Sequence, residues 1–240
     1  MKIVFAGPSL AGANVHPADI VLRPPAAQGD VLQAVDDGAN IIGIIDGYFG
    51  WTASVWHKEI LYALSLGIRV FGASSMGALR AAECRDFGMV AVGEIAMAYA
   101  AGEYDDDDLV ALTHLPAEFD YLPTTEPLVD ALPTIAAMLH HGAITREMAG
   151  RLERRARDLH FAARTVDALC ALDGHDEASR QELCTTYEAY RVNAKERDAI
   201  ALIELIKSLP NSRAMPPQDW IFAESPMWRH HRSHAFATQL

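Results

Sequence analysis

The chain has 240 residues, half of them hydrophobic, with 20 basic against 32 acidic side chains and a formal net charge of −12. That size and apolar share allow one large α/β domain or two modest ones, while the acidic balance argues against nucleic acid as a partner. No run approaches the roughly 18–20 apolar residues of a membrane span, no signal peptide is read at the N-terminus, and the scattered Cys84, Cys170 and Cys184 read as free thiols in a reducing compartment, so a soluble cytoplasmic protein is expected.

Lys2 to Ala6 reads as a buried strand, closed by the turn Gly7-Pro8-Ser9-Leu10. Asp19 to Leu22 reads as a second short strand, ended by Arg23-Pro24-Pro25. A helix starts at Gly29-Asp30, with Val31, Leu32 and Val35 on one face, and stops at Gly38. Asn40 to Asp46 is the most apolar strand signal, suited to a central parallel strand covered on both faces. Ser54 to Leu66 reads as an amphipathic helix. Val70-Phe71 then leads through small residues into a helix from Ala78 to Arg85. This alternation predicts an α/β fold, an N-terminal mostly parallel sheet with flanking helices.

Gly93 to Ala101 looks helical, and Leu109 to Leu112, after an acidic run from Glu103 to Asp108, is taken as a possible last strand. Prolines 116, 123 and 127 mark a linker. Beyond it the pattern predicts a C-terminal helical region: 127–142 with Pro133 near its first turn or kinking it, 145–160 capped by Thr145, 161–172, 177–191 and 194–209. Residues from Pro210 onward show no period. The organisation read from these signals is an α/β catalytic domain over 1–115, a helical region over 116–209 and an irregular tail over 210–240.

Chemistry points to Ala73-Ser74-Ser75-Met76-Gly77, which resembles the nucleophile elbow G-x-S-x-G with Ala in the first place. Small residues on either side of Ser75 let a strand turn sharply into a helix, and the N–H groups of Met76 and Gly77, with Gly72 in the same loop, could face an oxyanion. Ser74 competes for the role, and a helix cap is the plain alternative. A base is also required. His57, His114 and His16 are candidates that no spacing selects. Lys58 is another, since burial lowers an ammonium pKa from about 10.4 toward neutrality; its bland reading is an exposed lysine on an amphipathic helix. Asp46, followed by Tyr48, ends the central strand, where α/β sheets bind ligands; the alternative is a turn-forming Asp-Gly. Ser9 ends the first strand at the same edge. Arg80 and Glu83, at i, i+3, form a simple pair.

The acidic run reads as a solvated turn before a cation site. His230, His231 and His234 lack a carboxylate or cysteine to complete a zinc site. No metal or cofactor is expected.

These motifs resemble those of TfuA-like proteins. The matching stretches are VFAGPSL, IIGIIDGYF, VWHKEIL and VFGASSMGALRAAE with FGM following, then DDDDLVALTH, and more loosely KERDAIALI. The likeness is strong over the first half and weaker to Leu209. It implies a hydrolase-like Ser-Lys site, carried over by motif as Ser75 and Lys58; beside that pair, Asp46, Ser9, Tyr48, His57 and Arg80 are read as substrate or support residues. It implies two partners, a YcaO protein and a ThiS-like sulfur carrier whose C-terminal thiocarboxylate is cleaved. The sulfide released would serve YcaO-dependent peptide-backbone thioamidation. Gly50-Trp51 departs from the acidic residue expected there, which bears on the channel for the carrier tail. Two other readings stay open: a non-catalytic YcaO-binding partner, and an enzyme using Gly72 to Gly77 as a phosphate nest. Oligomeric state is open, a homo-oligomer included.

Overall fold

The computed structural model describes residues 1–15, 17, 19–50 and 52–235. His16 and Trp51, both weighed from the sequence, and the side chain of His234 lie outside what is described.

Five strands form one wholly parallel sheet: β1 (Lys2–Phe5), β2 (Ile20–Arg23), β3 (Ile41–Ile44), β4 (Arg69–Gly72) and β5 (Val90–Ala91), in the order β2-β1-β3-β4-β5. The last strand is therefore not the 109–112 stretch read from the sequence. Asp106 caps a 3-10 turn at Asp107–Leu109 by accepting from Asp108 N at 2.9 Å. Its short side chain competes for the backbone there. The fifth strand comes instead from Val90-Ala91, which pairs with Phe71 and Gly72.

Helices α1 (Asp30–Asp36), α2 (His57–Ser65), α3 (Met76–Cys84) and α4 (Gly93–Ala101) follow the strands. Their apolar residues share one core with Ile3, Phe5, Ile42, Ile44 and Val70. Alternate strand residues face the other way. That second face carries Val4, Ile41 and Phe71, and its cover comes from far along the chain. It is α9 (Ala194–Ser208), which lays Ala199, Leu202, Ile203 and Ile206 on it. Burying each large side chain there contributes about 1.5–3 kcal/mol. Gly43 makes the approach possible, since a Cβ at that position would sit 2.7 Å from Ile206 Cδ1. Asp198 then ties the two sides together by accepting from Ile95 N at 2.8 Å.

Between α4 and α9 lie α5 (Leu128–His140), α6 (Arg146–Asp158), α7 (Val166–Cys170) and α8 (Glu177–Ala189), which share a second core around Ile135, Met138, Leu152, Leu169 and Tyr187. Pro133 lies within α5, and the helix continues past it. Thr145 caps α6 as expected, accepting from Met148 N at 3.2 Å. The single helix read over 161–172 is split into a 3-10 turn at Phe161–Ala163 and α7, because Thr165 caps a new start by accepting from Ala168 N. Arg164, fully buried at that break, reaches carbonyls of Ala156, Leu159 and Glu126 and the carboxylate of Asp108. The acidic run is thus partly a docking point for an arginine. The tail also differs from its reading: α10 (Pro226–Ala235) is helical, and Trp228 is buried against Trp56, Tyr62 and Phe222.

Glu59 is a buried carboxyl in α2. It accepts from Gly29 N at 2.8 Å and Leu32 N at 3.3 Å, and so serves the start of α1. His231 of the tail lies 3.2 Å from it. Burial pushes its pKa up from 4.5 to about 7, against the pull of those N–H donors. A folded pKa above the unfolded one means this proton-linked stability is complete below pH 4.5 and lost as pH rises through about 7. Glu59→Gln, which does not ionise, is expected to lose less stability than wild type between pH 5 and pH 8. Urea midpoints at the two pH values check this, and equal losses would refute it.

Candidate active site

The strand order reverses direction between β1 and β3, the switch point where doubly wound sheets bind ligands beyond their carboxyl ends. Three such ends converge here. Beyond β3, Asp46 is buried and accepts from Gly7 N at 2.8 Å and Ser9 N at 3.0 Å, both beyond β1. The Ser9 hydroxyl donates to Asp46 Oδ1 at 2.6 Å and accepts from Ser74 Oγ, beyond β4, at 2.8 Å. The Asp-Gly turn reading is therefore only part of the role of Asp46: its carboxylate joins two strand ends.

β4 passes into α3 through a sharp elbow. Ser74 holds φ +66°, in the left-handed region that favours glycine. Ser75 stands at the helix N-cap position, but its side chain makes no capping bond. Its hydroxyl is engaged elsewhere, 3.0 Å from Lys195 Nζ. Two glycines set how closely the elbow fits. A Cβ on Gly77 would lie 1.7 Å from Ile44 O, and one on Gly72 would lie 2.0 Å from Gly77 O. The Gly77 N–H already donates to Ile45 O at 3.1 Å, so it does not face the cleft as an oxyanion donor or as part of a phosphate nest. The N–H of Met76, the first residue of α3, belongs to the peptide that follows Ser75.

Lys195 comes from the first turn of α9 and is buried. Its Nζ donates to Val110 O at 2.8 Å, and its backbone N–H is held by Asp130 Oδ1 at 3.0 Å. Burial lowers its pKa from 10.5; the negative charges of Asp46 and then Asp130 oppose the fall. Burial also raises the Asp130 carboxyl to about 6. In its neutral form the amine can keep one N–H on Val110 O and turn its lone pair to the Ser75 hydroxyl.

Ser75, Lys195 and Asp46 open into a cleft of about 540 Å³, walled by Pro8, Gly47, Tyr48, Phe49, Leu112, His114 and Phe161. The His114 ring lies between Tyr48 and Tyr121, with centroids 6.3 and 5.7 Å away. Its Nδ1 is 2.7 Å from Leu115 O, which makes that nitrogen the protonated one.

Of the residues read from the sequence, Ser75, Asp46, Ser9, Tyr48 and Met76 gather at this edge, and Gly72 and Gly77 act as close-packing positions behind it. Three stand apart. Lys58 extends its ammonium over the Phe222 ring, 4.8 Å from the centroid, and is not on Ser75. His57 pairs with Glu83 at 2.8 Å on the surface, and Arg80 binds the same carboxylate at 2.6 Å and Val55 O at 3.0 Å. These three brace α2 against α3 and the tail. The lysine that does meet Ser75, Lys195, is one that the sequence motifs do not single out. Among the described residues no group of His, Cys, Asp and Glu is arranged to hold a metal ion, and no helix is long and apolar enough to cross a membrane.

Fold and site together define an α/β protein with a doubly wound parallel sheet and a buried serine–lysine pair at its carboxyl edge. The family model for TfuA-like proteins matches residues 46–165, a span holding Asp46 and Ser75 but ending before Lys195. The chain belongs to the TfuA-like family. No curated protein matches it.

Proposed function

We propose that this protein is a hydrolase of the TfuA-like family that works beside a YcaO enzyme in peptide-backbone thioamidation, releasing sulfide from a thiocarboxylated, ThiS-like carrier. Family membership supports the accessory setting. The observation that carries the chemistry is the buried Lys195 amine 3.0 Å from Ser75 Oγ.

Neutral Lys195 takes the Ser75 proton as Oγ attacks the thiocarboxyl carbon. The Met76 N–H stands beside the developing oxyanion. The C–S bond breaks, and the proton held by Lys195 goes to the departing sulfur, which leaves as hydrosulfide. A water molecule then attacks the acyl ester, giving one proton to Lys195, which returns it to Ser75 Oγ. The second proton of the water leaves to solvent as the new acid ionises, so the products are the carboxylate form of the carrier, hydrosulfide and a proton. A cleft with Gly47 and Gly50 in its wall suits a slim chain end.

Sulfide release from a thiocarboxylated carrier tests this. Ser75→Ala is expected to lower the rate by about 10⁴- to 10⁶-fold, the range seen when a catalytic nucleophile is removed. Undiminished release by Ser75→Ala would sink the proposal. It would favour a binding partner that recruits the carrier or YcaO without turnover.

A further inference from the structure

The elbow contains two adjacent serines, and the mechanism uses one. Ser74 is wholly buried and holds a positive φ, a conformation that costs a non-glycine residue free energy and persists only where the surroundings enforce it. What enforces it here is a directional chain. Asp46 accepts only, anchored by the Gly7 and Ser9 amides. Ser9 donates its single hydroxyl proton to Asp46 and so can only accept from Ser74. The Ser74 hydroxyl proton is thereby committed, and the next hydroxyl along the chain, on Ser75, is the one that meets Lys195. The relay crosses the ends of β3, β1 and β4 largely shielded from solvent, since all three residues are at most 4% exposed.

We propose that Asp46, Ser9 and Ser74 are positioning residues: their relay holds the left-handed turn at Ser74 and thereby sets Ser75 Oγ against Lys195 and the Met76 N–H toward the cleft. The role assigned to Ser75 rests on the reaction proposed above; the geometric claim about the elbow does not. If the relay exists to enforce φ +66°, a glycine at position 74, which adopts that φ without cost, should lessen the need for it.

The test uses full-length wild type, Ser9→Ala, Ser74→Ala, Ser74→Gly and the double variant Ser9→Ala/Ser74→Gly. Three readouts are taken: sulfide release, the rate of Ser75 labelling by a fluorophosphonate, and backbone amide exchange over residues 74–77. Ser9→Ala is expected to label about 10- to 100-fold more slowly, with kcat lowered and KM changed less than about twofold, and to exchange faster at the elbow. The double variant should label faster than Ser9→Ala alone, a suppression that loss of general stability would not produce. Should Ser9→Ala fail to fold, the comparison of Ser74→Ala with Ser74→Gly decides in its place, with the glycine variant labelling faster. Wild-type labelling and exchange in Ser9→Ala, no suppression by the double variant, or equal labelling of the two position-74 variants would each overturn the relay. Absence of sulfide release by a wild type that labels normally would count against the proposed substrate and leave the relay to be judged on labelling and exchange.

Discussion

Replacing Lys195 by alanine is expected to lower sulfide release by about 10³-fold, the scale of a lost general acid–base group, whereas Lys58→Ala stays within about threefold of wild type. The contrast follows from position. Lys195 is buried on Ser75, while Lys58 lies over an aromatic ring of the tail. The pH profile adds a sign. The base must be neutral, and burial lowers the Lys195 pKa below 10.5, so the wild-type rate should rise with pH at lower values than an ordinary lysine would give. Lys195→Met keeps the volume and removes both the amine and the rise. It also leaves Val110 O without its donor, a loss of about 1–3 kcal/mol, so its urea midpoint is measured beside its rate. Parallel rate measurements on the three variants decide the matter, and a larger loss in Lys58→Ala than in Lys195→Ala would reverse the assignment of the base.

Gly77→Ala is expected to be the most damaging single methyl added to this chain, costing about 3–5 kcal/mol. The new Cβ would sit 1.7 Å from Ile44 O, a backbone atom in the middle strand of the sheet, so no side-chain rotation relieves it. Either α3, which starts at the Ser75 elbow, lifts from the sheet, or β3, which leads to Asp46, yields. Against a total stability of about 5–15 kcal/mol, such a loss leaves the domain marginal. Gly150→Ala is the control. That glycine lies inside α6, and the nearest atom to an added Cβ is Arg154 Nη1, 3.6 Å away. There alanine should raise stability by about 0.5–1 kcal/mol through helix propensity alone. Urea midpoints measured side by side test both signs. A Gly77→Ala protein as stable as wild type would mean the elbow is not packed as described.

The strands and the elbow were legible because each is written locally. Runs such as Ile41 to Ile45 have no polar alternation, and small residues flank Ser75. The parallel sheet, its flanking helices and the helical C-terminal region followed from the alternation of these signals. The two-residue β5 could not be read, because its identity comes from pairing with Phe71 and Gly72 rather than from its own composition. The lysine that meets Ser75 is harder to read. Lys58 precedes the elbow strand and looked close in sequence, but α2 aims it at the tail. Lys195 lies 120 residues beyond Ser75. Its signal was nonetheless present: Lys195, Ala199, Leu202 and Ile206 recur at helical spacing, which puts a lysine on the apolar stripe of its own helix. A cation written into a buried face has to be explained by what it meets there. The Ser9–Ser74 contact had no sequence signal beyond both residues falling at strand ends.

The cover supplied by α9 also fixes an order in time. A ribosome that has made only the first half of this chain has already produced the elbow serine, but the amine that would activate it has not yet been translated. While β1, β3 and β4 still lack Leu202, Ile203 and Ile206, their second face is bare. The same late segment that seals the core therefore delivers the amine that meets the serine hydroxyl. Until α9 docks, the Ser75 hydroxyl is without its lysine, so the pair and the sealed core form in one event.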